Sequence, residues 1–378
     1  METKKSIFYR WSEFSRTQVF ALLSIFSIFC FLRLKYRFRP EFFSDELHTI
    51  SGFQHPFADY LLQYLPRNEF HYPLDFLLMY PIGHWISSSQ FAIMIPHLLA
   101  MVLFFVLLVV INWQKVLSLS FSSPDPKWLN ILAALMMTFN ETQILHSLIL
   151  RPYAILSLLA IVAIVLAEAV LGAERFNVGL VFMISGFIVF HNYCLLMFCI
   201  GIGYIGMKSL KSLTFSSFAS LLKSRMCSIK IITLGILLSV PVLAVYHQAP
   251  ALRPEYLANS QIDPHQYIKP GLKGWIQVLA IYYGFIPFRI LLLSLTVFGT
   301  LLFVVEKKWK PILFLLMWVV IPTLLIYIVD VRMKYWFIQR QFLWVMPFHA
   351  VYVAAATFFS LHWLYQRTGG KHREKQIA

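Results

Sequence analysis

Long apolar runs, separated by short polar or basic stretches, repeat along the whole of this 378-residue chain. A bilayer core about 30 Å thick takes roughly 17–25 helical residues to cross. Stretches near that length run over about 17–32, 91–112, 129–147, 153–171, 177–190, 193–207, 231–246, 288–304, 311–329 and 341–362. The pattern predicts an all-α, polytopic membrane helical bundle of about ten transmembrane helices, forming a single domain over 1–378. Some stretches are short, and His191-Asn192-Tyr193 marks either an outer turn between two spans or a break within one long helix. Two further apolar stretches, 73–86 and 274–286, are interrupted by Pro, Gly and polar residues and are too short to cross. They are expected to lie as helices at the membrane surface. The first apolar run has the look of a signal peptide, but "RLKYRFRP" follows where small cleavage-site residues belong, so it is expected to remain as the first span.

Composition agrees. Hydrophobic residues make up 59% of the chain and charged ones only 13%, against roughly 45–50% apolar in ordinary soluble domains. Cys30, Cys194, Cys199 and Cys227 form neither a disulfide framework nor a metal knuckle by spacing. The net charge of +15 reads as a topology signal. With a cytoplasmic N-terminus, the inner loops hold 19 of the 32 Lys and Arg but 7 of the 17 acids, leaving +12 inside and +3 outside. Every inner loop obeys the positive-inside rule, both termini are placed in the cytoplasm, and no nucleic-acid partner is needed to explain the charge.

Under that topology the unusual polar residues gather on the outer side: Asp45, Glu46, His48, His71, Asp75, Glu141, Arg151, Tyr153, His191, Tyr193, Asp330, Arg332, Lys334 and Arg340. The first outer loop, 33–90, is the longest, and loops of such length in compact proteins are usually functional. Each residue also has a plainer role. Ser44 can cap a helix whose first turn holds Asp45 and Glu46. His71 and Asp75, four apart, share a helix face, which suits a side-chain hydrogen bond or, together with Asp45, a divalent metal. Arg151 and Arg340 can anchor helix ends at the interface. His97 and His146, inside spans, suit hydrogen bonding within a bundle. The formal sequon Asn140-Glu141-Thr142 lies at a span end, where glycosylation is not expected.

The order of the outer motifs carries more than any one of them. An Asp-Glu pair follows the first span, then come "HYPL" opening a surface helix, "RPYAIL" opening a span, "HNY" about forty residues later, and "RQFLWVMP" opening the last span. This succession resembles the GT-C integral-membrane glycosyltransferases, nearest the branch with protein O-mannosyltransferases and lipid A aminoarabinose transferases. There the pattern runs roughly D-E, H-P-P-L, R-x-Y, H-x-Y and R-Y-x-x-x-x-x-P. The resemblance covers residues 15 to about 362. It departs at Tyr72, where relatives often have Pro, and at Met94 in "FAIMIPHLLA", where many carry an Arg. The chain is also expected to lack the large soluble C-terminal domain of some relatives.

The resemblance implies transfer of a sugar from a polyprenyl-phosphate donor to a lipid, glycan or protein acceptor on the outer side, with inversion. Asp45 is then the base, with Glu46 in support. Arg151 and Arg340 become phosphate clamps, since guanidinium meets phosphate with paired, charge-assisted hydrogen bonds; Lys334 and Arg332 are weaker candidates. His71, Asp75, Tyr153, His191 and Tyr193 line the substrate site, and apolar grooves hold the prenyl chain. No cofactor is assigned, and a divalent metal at Asp45, His71 and Asp75 stays open. A short chain of this kind fits a bacterial inner membrane. The competing class is a transporter or lipid flippase, which would place ionisable groups near the midplane and often repeat its halves; the sequence has no evident internal repeat.

Overall fold

The computed structural model describes residues 7–37, 49–65, 74–86, 90–119, 125–146, 153–209, 226–251, 272–283, 286–333 and 342–368. The described residues are helical throughout, apart from turns and one isolated bridge between Phe8 and Ile111. In chain order the main helices are α1 (Arg16–Arg37), α2 (Leu74–Pro81), α3 (Ile95–Val110), α4 (Lys127–Thr138), α5 (Glu141–His146), α6 (Tyr153–Leu171) and α7 (Val178–Ile188). They continue with α8 (Asn192–Ser209), α9 (Met226–Ala251), α10 (Leu272–Tyr283), α11 (Ile286–Val305), α12 (Trp309–Leu315), α13 (Ile321–Met333) and α14 (Met346–Thr368). Among the described residues three helices are long and apolar enough to cross a membrane: Arg16–Lys35, Met226–Ala244, and Trp309–Ile328, in which α12 runs into α13 through a π-helical turn at Leu316–Val320. Shorter apolar helices occupy the remaining stretches, among them Ile95–Val110, Ile155–Leu171, Val178–Ile188, Tyr193–Lys208 and Arg289–Val305.

The chain divides into two compact units, one made of 1–38, 102–147 and 266–378, the other of 39–101 and 148–265. In the first unit, α14 is the central helix, packed against α4, α11 and α12. Its residues are buried from Met346 through Ser360, so both its faces meet protein. Small side chains make this possible: a Cβ on Gly299 of α11 would stand 2.5 Å from the Ala356 carbonyl oxygen, so only glycine lets the two helices approach so closely. Aromatic contacts lock the other side, with the Trp318 and Phe348 rings 4.1 Å apart. α1 packs on α4 through the stripe Gln18, Leu22, Ile25, Phe29 and Arg33, all buried, while Phe20, Leu23 and Phe31 on its far side are exposed. An exposed apolar face of that kind suits lipid better than water.

At the opposite end of α1 the chain is tied down by polar bonds. The Asn112 backbone N–H donates to the Ile7 carbonyl (2.7 Å), and Gln18 Nε2 donates to the Asp125 carboxylate (3.0 Å), which also pairs with the Lys127 ammonium at 3.0 Å. Partial burial alone would raise the Asp125 pKa, but the Lys127 backbone N–H and ammonium, with Gln18, outweigh it and hold the carboxyl below its ordinary value. Burial, with Asp125 and Glu13 nearby, pushes the Tyr9 phenol up to about 12.

In the second unit α6 packs on α8 and α7 on α9. A Cβ on Gly235 of α9 would stand 2.7 Å from Ile184 of α7, and Ser228 of α9 donates to the Val170 carbonyl of α6 at 2.9 Å. The described residues between α1 and α3 have a core of their own, in which Phe53, Tyr60, Leu65, Phe76, Met79 and Tyr80 are buried together with Ile93 and Met94. The Tyr80 ring stacks on Tyr60 (4.8 Å) and His84 (4.9 Å), and its hydroxyl donates to the His55 carbonyl at 2.7 Å. The expected surface helix over 73–86 is therefore a helix, running from Leu74 and closed by a π turn at Ile82–Ile86. Of the one expected over 274–286, the residues to Tyr283 belong to α10, and Ile286 opens α11.

Candidate functional site

Of the residues expected at the site, Asp45, Glu46, His71, Arg151, Lys334 and Arg340 lie outside the described residues, as does His48. The proposed metal group Asp45, His71 and Asp75 falls mostly there as well. Asp75 stands in the first turn of α2, Tyr153 opens α6, and Asp330 and Arg332 sit near the end of α13. Among the described residues no group of three His, Cys, Asp or Glu side chains is placed to hold a metal ion.

His191 and Tyr193 are described, and they answer the question left by "HNY". α7 ends at Ile188 and α8 begins at Asn192, so the stretch is a turn between two helices. The Tyr193 backbone N–H donates to His191 Nδ1 at 3.2 Å, and the two rings stack 5.4 Å apart. His191 thus serves as the N-cap of α8, a role that needs Nδ1 unprotonated and puts the proton of the neutral ring on Nε2. Burial favours the same form by lowering the His191 pKa to about 3.

A set of buried, mutually bonded polar groups lies elsewhere, in the first unit, where α4 breaks from α5. The apolar stretch 129–147 was expected as one span; it is two helices meeting at Phe139 and Asn140. Asn140 makes the break. Its Oδ1 accepts the Gln143 backbone N–H (3.0 Å), capping α5, while its Nδ2 donates to the carbonyls of Ile281 (3.1 Å) and Tyr282 (3.4 Å) at the end of α10. Gln143 Nε2 in turn donates to the Leu343 carbonyl at 3.1 Å, which seats the "FLWVMP" part of the last motif against this break. Arg33 reaches the same corner from α1, with Nη2 donating to the Met137 carbonyl at 3.0 Å. The side-chain amide of the formal sequon is therefore buried and already bonded.

Tyr282 links this polar layer to a cavity of about 420 Å³ enclosed by α10, α11, the α12–α13 helix and α14. Leu293, Val297, Leu301 and Leu324, which belong to its lining, are exposed, so it opens sideways through an apolar surface. Its hydroxyls are turned on one another. Tyr282 bonds Thr323, Thr300 bonds the Tyr352 hydroxyl (2.8 Å), and Thr300 also donates to the Thr296 carbonyl (2.6 Å). His349 is held between rings, stacked on Tyr282 (4.8 Å) and edge-on to Tyr283 (4.6 Å). With those donors engaged, the walls present methyl groups and ring faces, which suit a hydrocarbon chain and not a sugar.

Arg33, Asn140, Gln143 and the Tyr282–His349 wall were not picked out as site residues from sequence. The signals were present: Arg33 continues the 3.6-period stripe of α1, and Asn140 with Gln143 has the spacing of a helix start. No protein-family model matches the chain, and comparison with curated proteins and with solved structures likewise finds no match.

Proposed function

We propose that this protein is a membrane glycosyltransferase of about ten spans, moving a sugar from a polyprenyl-phosphate donor to a lipid, glycan or protein acceptor on the outer face of a bacterial inner membrane. The sugar C1–O bond to phosphate breaks as the acceptor oxygen bonds C1 from the opposite face. Asp45, supported by Glu46, takes the acceptor proton, and Arg151 and Arg340 neutralise the departing phosphate, with Lys334 beside them. Positioned base catalysis of this kind contributes about 10²–10⁴-fold. His71, Asp75, Tyr153, His191 and Tyr193 line the sugar site.

One observation supports the reading best. A buried polar layer, which includes the stretch following Arg340, adjoins a hydrocarbon-lined cavity with a lateral apolar mouth, the arrangement an amphiphilic donor requires. The test is label transfer by the purified chain in nanodiscs, using a panel of radiolabelled polyprenyl-phosphate sugars and a membrane extract as acceptor source. Transfer from one donor supports the proposal, and no transfer from any donor by folded protein removes it.

Transport or lipid flipping is the second reading, favoured by one feature: Arg33, an ionisable group buried inside a helical unit. Donor lipid changing leaflets in proteoliposomes without sugar transfer would select it.

A further inference from the structure

Near the end of a membrane helix an arginine ordinarily extends its charge to the interface. Lys35 follows that rule and is exposed, but Arg33, two residues before it, is 2% exposed. The guanidinium carbon lies over the Phe29 ring, 3.5 Å from its centroid. Nη1 donates to the Phe29 carbonyl at 3.3 Å and Nη2 to the Met137 carbonyl at 3.0 Å. Two of its five donors are thus engaged, Nε–H has no partner, and no carboxylate pairs with it among the described residues. The last turn of α4 offers partial negative charge through Met137, which is less than a buried cation needs to offset its lost hydration. A charge kept inside a membrane bundle at that expense is by default a working one.

We propose that Arg33 is an anion-binding residue that holds a phosphate group at the head of the hydrocarbon-lined cavity. The free Nε–H belongs to a rigid planar fork whose geometry matches phosphate oxygens. Arg33 is not itself in the cavity wall but is joined to it through bonded residues: Arg33 bonds Met137, Asn140 three residues on bonds the Tyr282 carbonyl, and Tyr282 lines the cavity. A ligand occupying both is a lipid phosphate. This deepens the donor-binding part of the function proposed above and rests on it for the donor's identity, but it is read by binding, without turnover.

The experiment is thermal unfolding of the full chain in a maltoside detergent, with dodecyl phosphate, inorganic phosphate or dodecanol added, for wild type, Arg33→Lys and Arg33→Gln. Dodecyl phosphate is expected to raise the wild-type midpoint by several degrees, inorganic phosphate by less and dodecanol by nothing comparable. The rise should shrink in Arg33→Lys and vanish in Arg33→Gln. If Arg33→Gln does not fold, Arg33→Lys decides: an undiminished rise there overturns the proposal. So does an undiminished rise in Arg33→Gln, or no rise in wild type. Equal effects of inorganic and dodecyl phosphate overturn the lipid assignment, identifying free phosphate as the ligand. A retained rise in a protein inactive with every donor would sink the glycosyltransferase reading and leave this one standing.

Discussion

The helix break at Phe139–Asn140 in the first unit and the loop core around Tyr80 in the second solve the same problem differently. Both bring irregular backbone into buried surroundings, where unpaired carbonyls are costly. At the break, side-chain amides and a guanidinium supply donors to carbonyls of α4, α10 and the stretch leading into α14. In the loop core, stacked rings pack on one another, and polar bonds such as Tyr80 to His55 and His84 to Phe53 tie them to backbone carbonyls. The difference teaches where chemistry can reside. The ring cluster is a filled scaffold, while the polar corner retains a donor and adjoins empty volume.

That contrast can be broken first at the rings. Tyr80→Ala removes a fully buried ring with stacked neighbours on both sides, and should lower stability by about 3–5 kcal/mol, the range for large aromatic truncations. A chemical-denaturation midpoint close to wild type would mean that the loop core carries little of the fold. Asn140→Ala tests the polar corner. It removes a helix cap and two bonds to α10 and should cost about 1–3 kcal/mol, while leaving more of the α10 end open to hydrogen exchange. Unchanged exchange at Ile281 and Tyr282 would contradict the role given to Asn140.

Acid sharpens the comparison further. The folded state holds His191 neutral down to about pH 3, whereas the unfolded ring titrates near 6.5. Below pH 6.5 the unfolded chain therefore binds more protons, and stability falls with pH until the folded ring protonates. The loss should reach about 2 kcal/mol at pH 5. His191→Asn keeps an acceptor at the cap and should flatten stability between pH 6.5 and 5; an unchanged slope would assign the acid sensitivity to other groups. Smallest is Asp125. Its pKa is lowered on folding, so its contribution is present above the ordinary carboxylate range near 4 and is lost as pH falls through the folded value. The pair with Lys127 is partly exposed and screened, so Asp125→Asn should cost under about 1 kcal/mol at pH 7 and nothing at pH 2.

Much of the helix pattern was legible because lipid-crossing length and charge asymmetry are read from composition alone. Every expected apolar stretch holds helix, and among the described residues three helices meet the length and apolarity of a span. Two features were not legible, for physical reasons. α14 reads like any other apolar stretch, since a helix wrapped in protein and one wrapped in lipid present similar side chains; only the Ala-rich run Ala354–Ala356 facing Gly299 hints at close packing. The α4–α5 break is hidden because 129–147 stays apolar through it, and the one local sign, Asn140 three before Gln143, competes with the stronger hydropathy signal. For the site, "HNY" resolved into a helix cap beside a stacked tyrosine, while most of the remaining expected residues fall outside the described ones. Arg33 was passed over because a basic residue after an apolar run reads as topology.

The most direct measurement is the rate of sugar transfer by wild type and Asp45→Asn under single-turnover conditions, with donor binding measured in parallel. The account predicts that Asp45→Asn binds the polyprenyl-phosphate sugar as tightly as wild type and transfers it about 10²–10⁴-fold more slowly. Transfer at the wild-type rate would contradict it, and the acids at 45 and 46 would then be left as the first turn of a capped helix.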